Sequence, residues 1–113
     1  MVKVWFCITR RPDLTPDQFR EYWRDTHGPI AAKIPGLRHY VQHQALHDLP
    51  PGWDLPQYDG VAELWWDDYP AALAGLQSEE TMAALADHPN FMDDHHKCAM
   101  FITEEAVIVE GRN

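Results

Sequence analysis

Apolar and polar residues alternate loosely at the start of the chain. Val4, Phe6 and Ile8 fall on one side of an extended segment, and Lys3 falls on the other. Side chains of a strand point alternately to its two faces. The pattern over residues 1–9 therefore predicts a β-strand.

The clearest helix signal follows a turn. Thr15 stands three residues before Gln18, as in a capping box, and Pro16 occupies the first helical position, where its missing N–H costs nothing. Residues at helical spacing then form one stripe facing the interior: Phe19, Tyr22, Trp23, Thr26, His27 and Ile30. Because Pro29 cannot donate to the carbonyl of Asp25, we expect the helix to kink or end near Gly28-Pro29.

Three further elements are predicted from the second half of the chain. Residues 58–66 predict a strand, and residues 97–109 predict the last strand, with 103–105 as a candidate bulge. Between them, Asp67 or Asp68 can cap a helix starting near Pro70. Residues 78–80 indicate a break or a second helix start within it.

Residues 37–49 are ambiguous. As a strand they place His39, His43 and His47 on one face, opposite Tyr40; as a helix the three histidines also share a face. Four residues span about 13 Å on a strand but about 6 Å on a helix, so only a helix could bring two of these imidazoles to one metal ion. His95-His96 could add ligands. We favour the strand and expect no metal.

The predicted order is β-α-β-β-α-β, with the second helix in one piece or two. That order fits an α+β, ferredoxin-like split βαβ fold, in which an antiparallel sheet carries helices on one face. The 113 residues suit one domain, 1–113. The uncovered sheet face would need a partner, and a homodimer closing two sheets into a barrel supplies one.

Composition narrows the function classes. A net charge of −9 disfavours a nucleic-acid partner, which requires a basic surface. No apolar run approaches the roughly 18 residues of a membrane span, and no signal sequence is evident, so we expect a cytoplasmic protein without a membrane partner. No phosphate-binding or dinucleotide-binding glycine motif is present, and we expect no cofactor.

His27 is the first candidate for chemistry. It belongs to the inward stripe beside the Gly28-Pro29 break, and an imidazole with a pKa near 6.5 can act as acid or base at neutral pH. The alternative is a histidine that caps the helix's own free carbonyls.

Polar residues in otherwise apolar segments supply further candidates. Glu63 lies within an apolar strand, where a carboxylate must be paired, hydrogen-bonded or shifted in pKa, unless it faces outward. Tyr40 offers a phenol that could orient a substrate oxygen or simply pack. Asp87 and Asn90 flank His88-Pro89. Residues of this kind are more typical of a turn at a helix end than of contacts with a ligand.

The order and spacing of several blocks resemble the EthD domain family over nearly the whole chain. The blocks are residues 11–19 (RPDLTPDQF), 22–29 (YWRDTHGP), 35–40 (PGLRHY), 58–65 (YDGVAELW), 87–91 (DHPNF) and 103–105 (TEE). The resemblance implies a dimeric α+β barrel, which supports the strand over 37–49. It also implies a substrate cleft between helices and sheet, lined by His27 and Tyr40. Leu64 stands where a related isomerase carries a reactive cysteine, which argues against identical chemistry.

The leading hypothesis is a small cofactor-free enzyme, a lyase or isomerase, acting on an apolar, oxygenated metabolite of aromatic or polyketide type. His27, Tyr40 and Glu63 are the predicted catalytic residues. The predicted substrate-binding residues are Trp23, His43, Trp65, Asn90 and Phe91. The alternatives are a non-catalytic binding or accessory protein and a cofactor-free or haem-type monooxygenase of the same fold.

Overall fold

A computed structural model describes residues 1–93 and 98–111 and contains a four-stranded antiparallel sheet. Its strands are β1 (Val2–Ile8), β2 (His39–Gln44), β3 (Gly60–Trp66) and β4 (Ala99–Thr103). They lie side by side in the order β2-β3-β1-β4. All neighbouring pairs are antiparallel, as in a ferredoxin-like fold.

Helical segments cover one face of the sheet. They are α1 (Pro16–Tyr22), a π-helical turn (Trp23–His27), α2 (Gly28–Ala31), α3 (Tyr69–Leu76), α4 (Glu79–Asp87) and a 3₁₀ turn (His88–Asn90). The predicted α+β class, with helices on one face, is confirmed. In the described parts of the chain, no helix is long and apolar enough to cross a membrane.

The first helix begins as its sequence predicts and then departs from regular α geometry. The Thr15 side chain accepts from the Gln18 backbone N–H, and the Gln18 side chain accepts in return from the Thr15 N–H. From Trp23 the helix widens into a π turn, and the Gly28 N–H reaches back five residues to the Trp23 carbonyl. The expected disruption therefore starts before Pro29 and affects the turn that carries His27.

The second helical region is two helices, each with its own cap. The Asp68 side chain accepts from Ala71 N–H at the start of α3, and the Ser78 side chain accepts from Thr81 N–H at the start of α4. The break predicted at 78–80 is thus a second helix start. Gly75 of α3 allows a close approach, since a Cβ there would lie 2.7 Å from the Trp66 indole nitrogen.

All four strands are shorter than the sequence predicts, and β1 loses one residue at each end. Residues 37–49 form a strand only over His39–Gln44, and residues 58–66 only from Gly60 onward. The last strand ends at Thr103, opposite Lys3. Its predicted first residue, Lys97, lies outside the described residues, as do His95 and His96.

The two faces of the sheet differ in what covers them. Val4, Leu64 and Trp66 point toward the helices and are almost fully buried. The other face has no covering element in the described part of the chain, and Phe101 there is 48% exposed. The core, and any enclosed site, therefore lies between the helices and the sheet.

Candidate functional site

A cavity of about 40 Å³ lies between the helices and the covered face of the sheet. Since one water needs about 10–15 Å³ on this measure, the space suits a few waters as it stands and must widen for a larger ligand. Its walls are mostly apolar and aromatic. Trp23, His27, Tyr40, Leu64 and Phe91 contribute to them.

His27 reaches this wall from the π turn. It is 5% exposed, and its ring centroid lies 4.6 Å from that of Phe91. Insertion of one extra residue per turn rotates the residues that follow it, and π turns are frequent at functional sites. The sequence placed His27 on an inward stripe, and the structure buries it there.

Asp87 holds the imidazole in one orientation. Its Oδ2 lies 2.9 Å from His27 Nδ1. Because a carboxylate only accepts hydrogen bonds, Nδ1 carries the hydrogen and donates it, so in the neutral ring Nε2 keeps a free lone pair. The other oxygen, Oδ1, accepts from the Tyr22 hydroxyl at 2.6 Å and from Asn90 Nδ2 at 2.9 Å.

Burial and hydrogen bonding set the charges of this pair. Burial lowers the pKa of His27, and the Asp87 carboxylate offsets only part of that effect. Burial alone would raise the pKa of Asp87, but hydrogen bonds from Tyr22, Asn90 and His27 outweigh it and hold that pKa below its ordinary value. At neutral pH the pair is therefore a neutral imidazole beside a carboxylate, the form in which histidine serves as a base.

Tyr40 lines the cavity from β2, and Thr81 and His88 are further polar residues of the lining. Burial raises the pKa of its phenol, so the hydroxyl keeps its hydrogen at neutral pH. The hydroxyl oxygen accepts from Gln42 Nε2 at 2.9 Å, and the same nitrogen donates to the Trp23 carbonyl at 2.8 Å. Tyr40 is thus tied to the turn that carries His27.

Trp23 forms a broad aromatic part of the wall and is 1% exposed. Its indole lies against the start of β3, where a Cβ at Gly60 would come within 2.5 Å of the ring. Only glycine allows that approach without a shift of the indole or the strand. The glycine at position 60 therefore leaves the space that the Trp23 indole occupies.

Three of the predicted site residues lie on the opposite face of the sheet. Glu63 accepts from His43 Nε2 at 2.8 Å and from Trp65 Nε1 at 2.5 Å, and its carboxylate lies 3.4 Å from Lys3 Nζ. We call Lys3, His43, Glu63 and Trp65 the outer-face cluster. The cluster does not reach the His27 cavity. Its side chains point to the opposite face of the sheet from those of Tyr40 and Leu64.

The remaining predicted residues lie near His27. Phe91 is fully buried, packs on the imidazole and lines the cavity. Asn90 touches the site through its hydrogen bond to Asp87 and borders a surface groove rather than the cavity. Leu64 lies on the cavity wall as an apolar group.

Sequence reasoning missed the role of Asp87. Its position beside His88-Pro89 predicts mainly a helix-end turn residue, yet its side chain makes no capping hydrogen bond and binds His27 instead. The two residues are 60 positions apart, and no local pattern links them. The alternative of a helix-capping His27 is wrong for the same reason, since its Nδ1 donates to a carboxylate rather than a carbonyl.

The histidine series on β2 does not form a metal site. Because residues 39–44 are extended, His39 and His43 are separate positions along one face. Among residues 1–93 and 98–111, no group of three histidine, cysteine or acidic side chains is close enough to hold a metal ion.

Solved structures share this fold. An ethyl tert-butyl ether d (EthD) family protein from Bacillus halodurans is 24% identical, covers 94% of this chain and 100% of its own, and superimposes with a TM-score of 0.72. A dimeric ferredoxin-like protein of unknown function from Thermobifida fusca is 20% identical, with coverages of 90% and 88% and a TM-score of 0.64. SnoaB, a cofactor-independent oxygenase from Streptomyces nogalater, is 14% identical, with coverages of 96% and 97% and a TM-score of 0.64.

These identities establish the fold and leave the activity open. No curated protein matches the chain. The sequence profile of the EthD domain matches residues 11–95, which is most of the chain and includes His27, Tyr40 and Asp87. This protein belongs to the EthD domain family.

Proposed function

We propose that this protein is an enzyme that moves a proton on a small, apolar carbonyl compound, using its own side chains and no cofactor. His27 is the catalytic base, and Tyr40 binds the substrate oxygen. The observation that carries the proposal is the buried imidazole on the cavity wall, with Nδ1 fixed by Asp87 and Nε2 left as the basic nitrogen. The apolar wall favours a substrate with little charge.

The proposed step begins at the carbon next to the carbonyl. Nε2 takes the proton as the C–H bond breaks, and the electron pair forms an enolate whose oxygen is stabilised by the Tyr40 hydroxyl. The resulting imidazolium is paired with the Asp87 carboxylate. In a β,γ-unsaturated substrate the electron pair is spread over a dienolate, and return of the proton to its γ-carbon completes an isomerisation. Loss of a β-hydroxyl as water, with that proton supplied by His27, completes a dehydration.

The most direct test is hydrogen exchange on simple ketones. Wild-type protein in D₂O should exchange the α-hydrogens of cyclohexanone or 1-indanone faster than buffer does, as followed by ¹H NMR. The variant His27→Gln should lose this acceleration, whereas His39→Gln, an exposed histidine on the other face, is the matched control. Equal exchange by wild type and His27→Gln would refute the role of His27.

A non-catalytic carrier is the second candidate, because the largely apolar wall would also retain a hydrophobic molecule. Binding of the ketones without any exchange, over the pH range in which His27 is neutral, would favour the carrier. Oxygen chemistry is a third candidate, suggested by the fold shared with SnoaB. Oxygen uptake with an aromatic substrate would favour it.

We also propose a homodimer in which the outer sheet faces pack together. That face exposes about half of Phe101 and leaves Trp5, Val41 and Val61 partly exposed. A sheet face of this kind is stabilised by a partner. The dimeric description of the similar Thermobifida fusca protein supports the proposal.

A further inference from the structure

Gln42 determines in which direction the Tyr40 hydroxyl can hydrogen-bond. We infer that the hydrogen bond from Gln42 leaves the Tyr40 hydroxyl as a donor toward the cavity. The site then selects ligands that present a neutral carbonyl oxygen. This inference deepens the proposed function and rests on it for the reaction. The preferred binding mode can nevertheless be measured without any turnover.

The Trp23 carbonyl fixes the orientation of the Gln42 amide. A carbonyl oxygen only accepts, so the group 2.8 Å from it must be the amide nitrogen and not the amide oxygen. That nitrogen also lies 2.9 Å from the Tyr40 oxygen. Both of its hydrogens are therefore used, one on the Trp23 carbonyl and one on Tyr40.

The consequence for Tyr40 follows from counting its hydrogen-bonding groups. The phenol oxygen already accepts from Gln42, so its own hydrogen points elsewhere. Among the residues that the structure describes, none accepts this hydrogen. Tyr40 lines the cavity, and a ligand oxygen there would supply the missing acceptor.

The cavity wall also restricts the charge of that acceptor. No lysine or arginine is among the described residues lining it. Asp87 already carries a negative charge behind His27, and an ionised carboxylate on the ligand would be desolvated without a counter-ion. The ligand class is therefore a neutral ketone, lactone or quinone and not a carboxylic acid.

The test measures 1-indanone labelled with ¹³C at the carbonyl, bound to protein, by infrared spectroscopy and by calorimetry. A hydrogen bond from Tyr40 should lower the carbonyl stretching frequency in wild type relative to Tyr40→Phe. Affinity for the ketone should fall about 2- to 10-fold in Tyr40→Phe, the effect of one neutral hydrogen bond. Affinity for indane, which has no oxygen, should not change.

Gln42 is a positioning residue, and a double-mutant cycle separates its effect from a structural one. Gln42→Met should move the carbonyl frequency toward that of Tyr40→Phe, and it should have no further effect when Tyr40 is already Phe. Gln44→Met, two residues along β2 and outside the cavity wall, is the matched control. If Gln42→Met does not fold, the comparison of wild type with Tyr40→Phe still tests the direction of the hydrogen bond.

Three results would overturn the inference. They are an unchanged carbonyl frequency in Tyr40→Phe, an equal effect of Gln42→Met with and without the Tyr40 hydroxyl, and failure of 1-indanone to bind at its solubility limit. The spectra are repeated in His27→Gln, which should preserve the shift. If the carbonyl frequency shifts as expected but no α-hydrogen exchange is detected, the proposed reaction is refuted and this inference still holds.

Discussion

The protein contains two histidine–carboxylate pairs of almost equal length in very different surroundings. His27 and Asp87 are 2.9 Å apart, with side chains 7% and 9% exposed, beneath the helices. His43 and Glu63 are 2.8 Å apart on the outer sheet face, where the His43 side chain is 51% exposed. Contact geometry alone would not distinguish them.

Burial and neighbours separate the two pairs. Asp87 receives hydrogen bonds from uncharged Tyr22 and Asn90 besides His27, and no lysine or arginine of residues 1–93 and 98–111 pairs with it. Glu63 is shared with the Lys3 ammonium, which also lies 4.1 Å from the Trp65 ring centroid. The buried pair therefore holds one imidazole in a fixed orientation, whereas the outer-face cluster holds a carboxylate on the uncovered face of the sheet.

The largest effect should come from removing the buried imidazole. His27→Gln should reduce α-hydrogen exchange on a ketone substrate by about 10²- to 10⁴-fold, the usual contribution of a general base. ¹H NMR in D₂O measures the rate, and far-UV circular dichroism checks the fold. A loss of less than twofold would remove His27 from the mechanism.

The carboxylates should differ in their contribution to stability. Asp87→Asn should lower the free energy of unfolding by about 1–3 kcal/mol, because at least one buried donor loses its acceptor. Glu63→Gln should cost less, about 0–1 kcal/mol, because the amide oxygen can still accept from Trp65 and Lys3 keeps Glu105 as an ion-pair partner. Urea unfolding of both variants measures the difference, and an equal cost would contradict the distinction drawn between the pairs.

The outer face should respond to a charge placed at its exposed aromatic residue on the edge strand β4. Phe101→Asp should weaken the proposed dimer at least about tenfold, since a buried unpaired carboxylate is costly. Met82→Asp, at an exposed position of α4, is the control. Light scattering after size-exclusion chromatography over a dilution series measures the dissociation. A dimer unaffected by Phe101→Asp would place the interface elsewhere.

A further effect should be on the pH dependence of stability. The pKa of His27 is lowered in the folded protein, mainly by burial, so the unfolded chain binds this proton first as the pH falls. Stability should therefore decrease below about pH 6.5, by up to about 1.4 kcal/mol per pH unit until the folded-state pKa is reached. His27→Gln should lack this component. Parallel stability curves for the two proteins would contradict the shift.

Much of the fold could be predicted because its signals are local. The capping residues Thr15, Asp68 and Ser78 each start a helix where the sequence places one. Strand ends were less predictable, because a strand extends only as far as its partner. The π turn could not be predicted either, since it reflects how Trp23 and His27 pack against the rest of the molecule.

The site could be predicted only in part. Helical spacing is enough to place His27 inward, and alternation on β2 is enough to place Tyr40 and His43 on opposite faces, since they are three residues apart. The same alternation places Glu63 and its neighbour Leu64 on opposite faces, so His43 and Glu63 cannot share the site of Tyr40. Asp87 could not be assigned, because its contact with His27 depends on how α4 packs against α2.

The central claim is that His27 is neutral at neutral pH, with its hydrogen on Nδ1 and a free lone pair on Nε2. Nitrogen-15 NMR of the histidine side chains, assigned with His27→Gln, tests this directly because the two ring nitrogens shift strongly with protonation. At pH 7.5 we predict a protonated Nδ1 and an unprotonated Nε2 for His27, and loss of that preference in Asp87→Asn. A hydrogen on Nε2, or an imidazolium at that pH, would contradict the account.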